Sequence, residues 1–313
     1  MRQTATLGVD IGSISTKGVA LGPQGELLAQ SYIWTEGDPL SAARRLLRDL
    51  REQAPDVTVT AVGTTGSARR LVGAMLGADI VKNEITAHAA GALSRFPDVR
   101  TVIEIGGQDS KIILIENGVV SDYAMNTLCA AGTGAFLSSQ ARRLGVEVEE
   151  MGDVALRAGQ PARIAARCTV FAESDLVHKA QMGYGKEELI AGLCRAVVSN
   201  YLGNVGKGKT IRAPIVFQGG VSKNKGVVRA FMEELGDELH VDTGSHLMGA
   251  IGAAVLARPA RRASAFQYDV ADLSYAARAS ECPGCPNHCE IVRFYRGEDP
   301  VDAWGGRCER GGM

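Results

Sequence analysis

The chain has 313 residues, enough for about two domains. Its 45 % hydrophobic and 22 % charged residues are ordinary for a globular protein, and 34 Lys and Arg against 35 Asp and Glu leave a net charge of −1. No basic excess is available to neutralise nucleic-acid phosphates, and no apolar run approaches the roughly 18 residues of a membrane span, which argues against both functions. The first residues pass directly into a strand-like run, which predicts a cytoplasmic protein without a leader. That run leads into Val9-Asp-Ile-Gly-Ser-Ile-Ser-Thr-Lys, and the pattern returns 94 residues later as Ile103-Glu-Ile-Gly-Gly-Gln-Asp-Ser-Lys. In each copy an acid is followed by Gly two positions on and by Lys five further on. Each opens a three-stranded meander, whose third strands are expected over 26–34 and 119–124. Residues 41–53 have helical spacing, with Leu46, Leu47 and Leu50 on one face. A strand is predicted over 57–62 and a helix over 84–96. The second half predicts helices over 132–144 and 186–205, a strand over 215–218, and helices over 223–235 and 246–257. Strands followed by helices, twice, describe two related α/β lobes, for which an intervening cleft is a natural ligand site. The expected domains are a first lobe over 1–97 with a returning helix at 246–258, a second lobe over 98–245, and a Cys-rich tail over 259–313 too short for a large core.

Glycine makes up 38 of the 313 residues, about 12 % where 7 % is usual, and it clusters beside strands. Asp10 ends a strand, Gly12 and Ser13 turn the chain, and Thr16 and Lys17 begin the next strand. Such a turn presents N–H groups and hydroxyls to an anion, and its carboxylate can hold Mg²⁺ through water. Gly106-Gly107-Gln108-Asp109 repeats the device, so two hairpins would grip the β- and γ-phosphates of a nucleotide. Phe217-Gln-Gly-Gly-Val-Ser-Lys-Asn-Lys is a third glycine element, a strand and turn that let a ring or ribose approach the backbone. Neither a Gly-x-x-x-x-Gly-Lys-Ser/Thr loop nor a Gly-x-Gly-x-x-Gly fingerprint is present.

Seven cysteines in a chain without an export signal read as thiols, metal ligands or redox groups. Cys129 and Cys168 each stand where a helix is expected to begin, a position that lowers a thiol's pKa and offsets the charge of a thiolate-bound cluster. Four thiolates are the usual complement of a [4Fe–4S] cluster, so two per chain suggest one cluster shared on the axis of a homodimer. On spacing alone, two small buried cysteines are the simpler reading. Cys194 lies mid-helix among apolar neighbours and reads as core. Cys282-Pro-Gly-Cys-Pro-Asn-His-Cys, with Cys308 after 18 residues, places Cys282, Cys285, Cys289 and Cys308 as ligands of Zn²⁺ or of a second Fe–S cluster.

The two hairpins and the Gln-Gly-Gly turn resemble the phosphate and adenosine motifs of the actin/hexokinase/Hsp70-type ATPases. Cys-Ala-Ala-Gly-Thr-Gly, followed 39 residues on by Cys-Thr-Val-Phe-Ala-Glu-Ser, is similar to the activators of 2-hydroxyacyl-CoA dehydratases, the BadF/BadG/BcrA/BcrD ATPase family. The resemblance covers about residues 5–257. It implies two RNase H-like lobes, ATP/ADP with Mg²⁺, and a homodimer holding one [4Fe–4S] cluster on Cys129 and Cys168 of each chain. It further implies an oxygen-sensitive, ATP-hydrolysing one-electron donor, fed by ferredoxin or flavodoxin. The acceptor would be an Fe–S enzyme of the 2-hydroxyacyl-CoA dehydratase, benzoyl-CoA reductase or double-cubane type. In that frame Asp10 organises Mg²⁺, and Gly12, Ser13, Ile14, Ser15, Thr16 and Lys17 line the phosphates with Gly106 and Gly107. Gln108 positions the attacking water, assisted by Glu104 or Asp109; Glu104 stands where these activators usually have Asp. Gly132, Thr133 and Gly134 link the cluster helix to the nucleotide, while Gln218, Gly219, Gly220 and Asn224 border adenosine. The rival readings are a small-molecule kinase of the same superfold and a nucleotide-binding sensor with a structural zinc tail.

Overall fold

The computed structural model describes residues 3–126, 129–260, 262 and 264–308. Strands β1 (Thr4–Ile11), β2 (Ser15–Leu21) and β3 (Leu27–Trp34) form the first meander, followed by α1 (Pro39–Gln53), β4 (Thr58–Thr65), α2 (Arg69–Leu76), β5 (Ile80–Val81) and α3 (Glu84–Arg95). The second copy runs β6 (Thr101–Ile105), β7 (Ser110–Glu116), β8 (Val119–Asn126), α4 (Gly134–Leu144), α5 (Met151–Leu156), α6 (Thr169–Gln181), α7 (Lys186–Asn204), β9 (Ile215–Gln218), α8 (Lys225–Leu235) and β10 (Leu239–His240). Helix α9 (Met248–Ala257) and a sheet of β11 (Tyr275–Glu281), β12 (Glu290–Arg296) and β13 (Asp299–Trp304) complete the chain. The sheet orders are β3-β2-β1-β4-β5 and β10-β9-β6-β7-β8. In each, the meander is antiparallel and the two later strands run parallel to the first. The sequence repeat is therefore a repeat of topology.

The chain divides into one unit of Met1–Ala87 with Gly249–Met313 and another of His88–Met248. The division falls within α3, upstream of the expected boundary at 97/98. Residues 88–97 go with the second unit, where His88 Nδ1 meets Gln218 Nε2 at 2.8 Å. The tail joins the first unit. Phe294 of β12 is fully buried in that unit's apolar cluster, stacked on Tyr275 at 5.3 Å, and the Tyr275 hydroxyl donates to Met75 O at 3.2 Å. Too small for a core of its own, the tail borrows one.

Each element has a local cause. Strand β1 is buried along seven of its eight residues because both sheet faces are covered. Asp38 caps α1, accepting from Ser41 N at 3.0 Å, and Pro39 supplies the first turn. Hydrogen bonds from Ser41, first from its side chain and then from its backbone N–H, hold the Asp38 carboxyl below its ordinary pKa. Asp38→Ala is expected to cost about 1 kcal/mol by denaturant titration at pH 7. Because the folded pKa is depressed, the difference from the parent should vanish as pH falls below the folded-state value. Helix α9 lies so close to the first sheet that a Cβ on Gly8 would sit 2.0 Å from Ala250 O, and one on Gly63 would sit 2.1 Å from Ala253 O. No side chain fits at either position. Gly63→Val is expected to destabilise by about 3 kcal/mol or more, since only backbone can yield, and a shift in the chemical midpoint reads it. Among the described residues, no helix is long and apolar enough to cross a membrane.

Candidate functional site

The two acid–lysine repeats become two matching hairpins. Asp10 pairs in register with Lys17 across β1–β2, and Glu104 with Lys111 across β6–β7. The turns close identically: Gly12 N–H donates to Ser15 O and Gly106 N–H to Asp109 O, both at 3.0 Å. Electrostatically the copies differ. Lys17 Nζ stands 3.5 Å from Asp10 Oδ2 and is partly exposed. Lys111 Nζ is 2 % exposed and lies 3.0 Å from Glu104 Oε2 and 2.8 Å from Asp109 Oδ1. The second copy is a buried cation between two carboxylates, one of them, Asp109, partly open to water. Above it, Tyr201 OH donates to Lys111 O at 2.8 Å; burial, with the nearby Glu104 charge, pushes this phenol well above its ordinary pKa.

The tips hold the groups that can meet a ligand. Ser13 and Gln108 are exposed, and Gly12, Ile14, Gly106 and Gly107 are half-buried. Ser15 and Thr16 are buried, so their side chains serve the fold. Thr16 Oγ1 lies 2.9 Å from Thr35 Oγ1, and Thr35 Oγ1 donates to Gly12 O at 2.8 Å. Thr35 thus pins the first turn from the end of β3. Sequence reading passed over it, because a lone Thr beyond a strand carries no motif. Gly66 (φ +92°) has no room for a side chain: its Cβ would sit 2.6 Å from Asp10 Oδ1.

The third glycine element forms as expected. Gly219 (φ +88°) turns the chain after β9 beneath Glu104, where a Cβ would lie 2.7 Å from Glu104 Oε1. Ser222 Oγ donates to Gly219 O at 2.7 Å and lies 2.7 Å from Ser245 Oγ, whose hydroxyl can donate to it, fixing the turn; neither serine carries a motif for this role. Gly220 is exposed. An open groove of about 800 Å³ runs beside the turn, lined by Ser222, Lys223, Lys225, Val228 and Arg229. Gln218 is fully buried and directed to His88, and Asn224 Oδ1 caps α8 by accepting from Val227 N at 3.1 Å. Each amide serves the fold with one end, while Gln218 Oε1 and Asn224 Nδ2 are buried without a hydrogen-bond partner among the described residues.

Cys129 and Cys168 are both half-buried. Cys168 caps the 13-residue α6, as expected. Cys129 precedes only a three-residue 3-10 turn, and α4 begins at Gly134, so the favourable helix field reaches Cys168 but not Cys129. The Cys129 backbone is instead clamped by Asn126, whose Nδ2 donates to Cys129 O at 2.8 Å and whose Oδ1 accepts from Cys129 N at 3.0 Å. Asn200 Nδ2 on α7 donates to Ala166 O at 2.6 Å, while a Cβ on Gly132 would lie 2.8 Å from Asn200 Oδ1. One buried amide therefore abuts both cysteine segments. Gln140 and Arg143 of α4 each donate to Glu173 of α6 at 3.0 Å, joining the helices that follow the two cysteines. Finally, Gly134 N donates to Gly106 O at 2.9 Å and Ala135 N to Gly107 O at 2.8 Å. The start of α4 is docked on the second hairpin. Thr133, buried, turns its hydroxyl to Ala130 O at 2.8 Å. Asn200→Ala should cost about 1–3 kcal/mol and raise the alkylation rate of Cys129 and Cys168 together. Cys194, by contrast, is core: burial pushes its thiol up to about 12.

Cys282, Cys285, Cys289 and Cys308 form no disulfides. Among the described residues, no group of three His, Cys, Asp or Glu side chains meets in a metal-binding arrangement.

Known proteins share this architecture. The model of the BadF/BadG/BcrA/BcrD ATPase family matches residues 7–257 and stops short of the tail. The (R)-2-hydroxyglutaryl-CoA dehydratase activating ATPase of Acidaminococcus fermentans is 36 % identical over 256 residues, 80 % of this chain and 96 % of that one. The crystal structure of that organism's dehydratase component A superposes with a TM-score of 0.76 at 35 % identity, covering 82 % of this chain and 98 % of its own. The 2-hydroxyisocaproyl-CoA dehydratase activator from Clostridium difficile, solved with bound ADPNP, gives 0.73 at 33 % identity, covering 86 % and 96 %. A ROK-family glucokinase from Streptomyces griseus, at 15 % identity and a TM-score of 0.51 over 82 % of this chain and 99 % of its own, shares the actin/hexokinase-type fold alone. The chain belongs to the BadF/BadG/BcrA/BcrD ATPase family and is an ATPase.

Proposed function

We propose that the protein uses ATP hydrolysis to drive single electrons into a partner enzyme of the 2-hydroxyacyl-CoA dehydratase, benzoyl-CoA reductase or double-cubane type. Its setting is the cytoplasm, and ferredoxin or flavodoxin is its electron source. The observation that carries this reading is the docking of α4 on the Gly106-Gly107 hairpin, with Cys129 just upstream of that helix. A change in the hairpin on nucleotide binding or hydrolysis would move the Cys129 segment, and Glu173 and Asn200 would carry the movement to Cys168. ATP can drive this only by binding the two arrangements with different affinity.

The residues fit a shared [4Fe–4S] cluster. Cys129 and Cys168 form no disulfides and are half-buried in one unit, and two such chains would supply four thiolates. Val170 and Phe171, directly after Cys168, are 64 % and 63 % exposed, a surface suited to cover by a second copy. When bound, the cluster supplies the low-potential electron. The chain holds its thiolates in place through Asn126 and Asn200. Asp10, 6 % exposed, would hold Mg²⁺, with Ser13, Ile14 and Lys17 on the phosphates. Gln108, at the exposed tip of the second turn, would position the water, with Glu104 and Asp109 behind it.

The test is anaerobic. The reduced protein should hydrolyse ATP without any phosphoryl acceptor and be oxidised by a 2-hydroxyacyl-CoA dehydratase only when MgATP is present. Asp10→Asn should lower hydrolysis by about 100-fold or more. ATP consumption that requires an added sugar or acid acceptor would identify a kinase and overturn the reading.

A further inference from the structure

The tail lies outside the family match, and its fold brings the four cysteine segments to one end of its sheet, with no three of the side chains yet meeting in a metal-binding arrangement. Strand β11 ends at Glu281, which pairs with Glu290 at the start of β12. Cys282 N–H donates to Cys289 O at 2.8 Å just beyond that pair, so Cys282, Cys285 and Cys289 occupy one hairpin loop. Within the loop His288 N–H donates to Cys285 O at 3.2 Å, His288 adopts a left-handed φ of +45°, and its ring pairs with Glu281. Strand β13 ends at Trp304, paired with Val292, and Gly305 (φ +106°) presses on the Glu290 backbone, where a Cβ would lie 2.1 Å from Glu290 O. Cys308 follows three residues later. In an antiparallel sheet the end of β11, the start of β12 and the end of β13 coincide. All four cysteines therefore stand at the same end of the sheet.

The sheet is anchored near its opposite end by Phe294 and Tyr275, while the last five residues of β11 are exposed. Cysteines spaced C-x2-C-x3-C in a tight loop, with a fourth from the adjacent strand, form a thiolate donor set for a soft metal. Thiolate closure would also stabilise a segment with too little core to hold itself. We propose that Cys282, Cys285, Cys289 and Cys308 together bind one metal centre, zinc or iron, that closes the open end of the tail sheet. The thiols converge on loading, through side-chain rotation and movement of the segment after Gly305. This inference does not depend on the function proposed above.

The test uses the full-length chain carrying Cys129→Ala and Cys168→Ala, so that any metal bound belongs to the tail. Zinc, iron and acid-labile sulfide are measured after anaerobic purification from cells supplied with both metals. About one zinc without sulfide, or iron with sulfide, per chain supports the proposal, and the two results separate a structural ion from a redox centre. Adding Cys282→Ser or Cys308→Ser should remove the metal and speed proteolysis within 275–308, with the far-UV spectrum and main thermal transition unchanged. Absence of metal, a Cys282–Cys289 disulfide in the freshly isolated chain, or metal retained in both serine variants would overturn it.

Discussion

Cys129→Ala is expected to abolish ATP-dependent electron delivery while leaving ATP hydrolysis within about twofold of the parent. If Cys129 holds the proposed cluster, the loss should exceed the roughly 100-fold cost of removing an outer partner of a metal site, because a ligand itself would be gone. Hydrolysis should survive because the described contacts that hold this segment run through backbone groups. Asn126 clamps the backbone N–H and C=O of Cys129, and α4 docks through the N–H groups of Gly134 and Ala135. All four contacts remain in the alanine variant. Parallel assays of phosphate release and of partner reduction check this. Equal loss of both would mean that Cys129 acts in the nucleotide site or the core.

Lys111→Met should be the most destabilising of the hairpin substitutions, costing about 3–5 kcal/mol, whereas Lys17→Met should cost under about 1 kcal/mol. The contrast follows from burial. Lys111 is 2 % exposed, and removing it takes from Glu104, itself 5 % exposed, a cation only 3.0 Å away. Lys17 is 17 % exposed and sits 3.5 Å from Asp10, where water can take its place. A Glu104→Gln, Lys111→Met double variant should recover more than half of the loss, since it leaves no buried charge. Asp109, at 31 % exposure, can turn to solvent and should not prevent the recovery. Denaturant midpoints of the four proteins decide it, and equal costs for the two lysines would refute the asymmetry.

The repeat was legible because a hairpin fixes cross-strand partners: an acid and a lysine seven residues apart across a four-residue turn must face each other. The long helices announced themselves by their apolar period. Short elements did not. Helix α2 has eight residues, α5 six, and β5 and β10 two each, too few for a period to register. The tail sheet escaped because only Ile291 and Phe294 of β12 are buried, and what buries Phe294 is the core of the first unit. Within the site, the motif residues were legible and their uses were not. Thr16 is held by an internal hydrogen bond, and Gln218 and Asn224 each commit one end of the amide to the fold, while Thr35, Asn126 and Asn200 hold the turns and cysteine segments from places with no local signature.

Iron and acid-labile sulfide per chain, measured anaerobically with the EPR spectrum of the dithionite-reduced protein, test the central claim most directly. The protein for this measurement carries Cys282→Ser and Cys308→Ser, so that the tail contributes nothing. About two irons and two sulfides per chain, a dimer in solution, a reduced-cluster signal, and loss of all iron on adding Cys168→Ala are the predicted results. Iron that persists without Cys168, or a reconstituted dimer that holds none, would contradict the shared cluster and leave an ATPase whose output is not an electron.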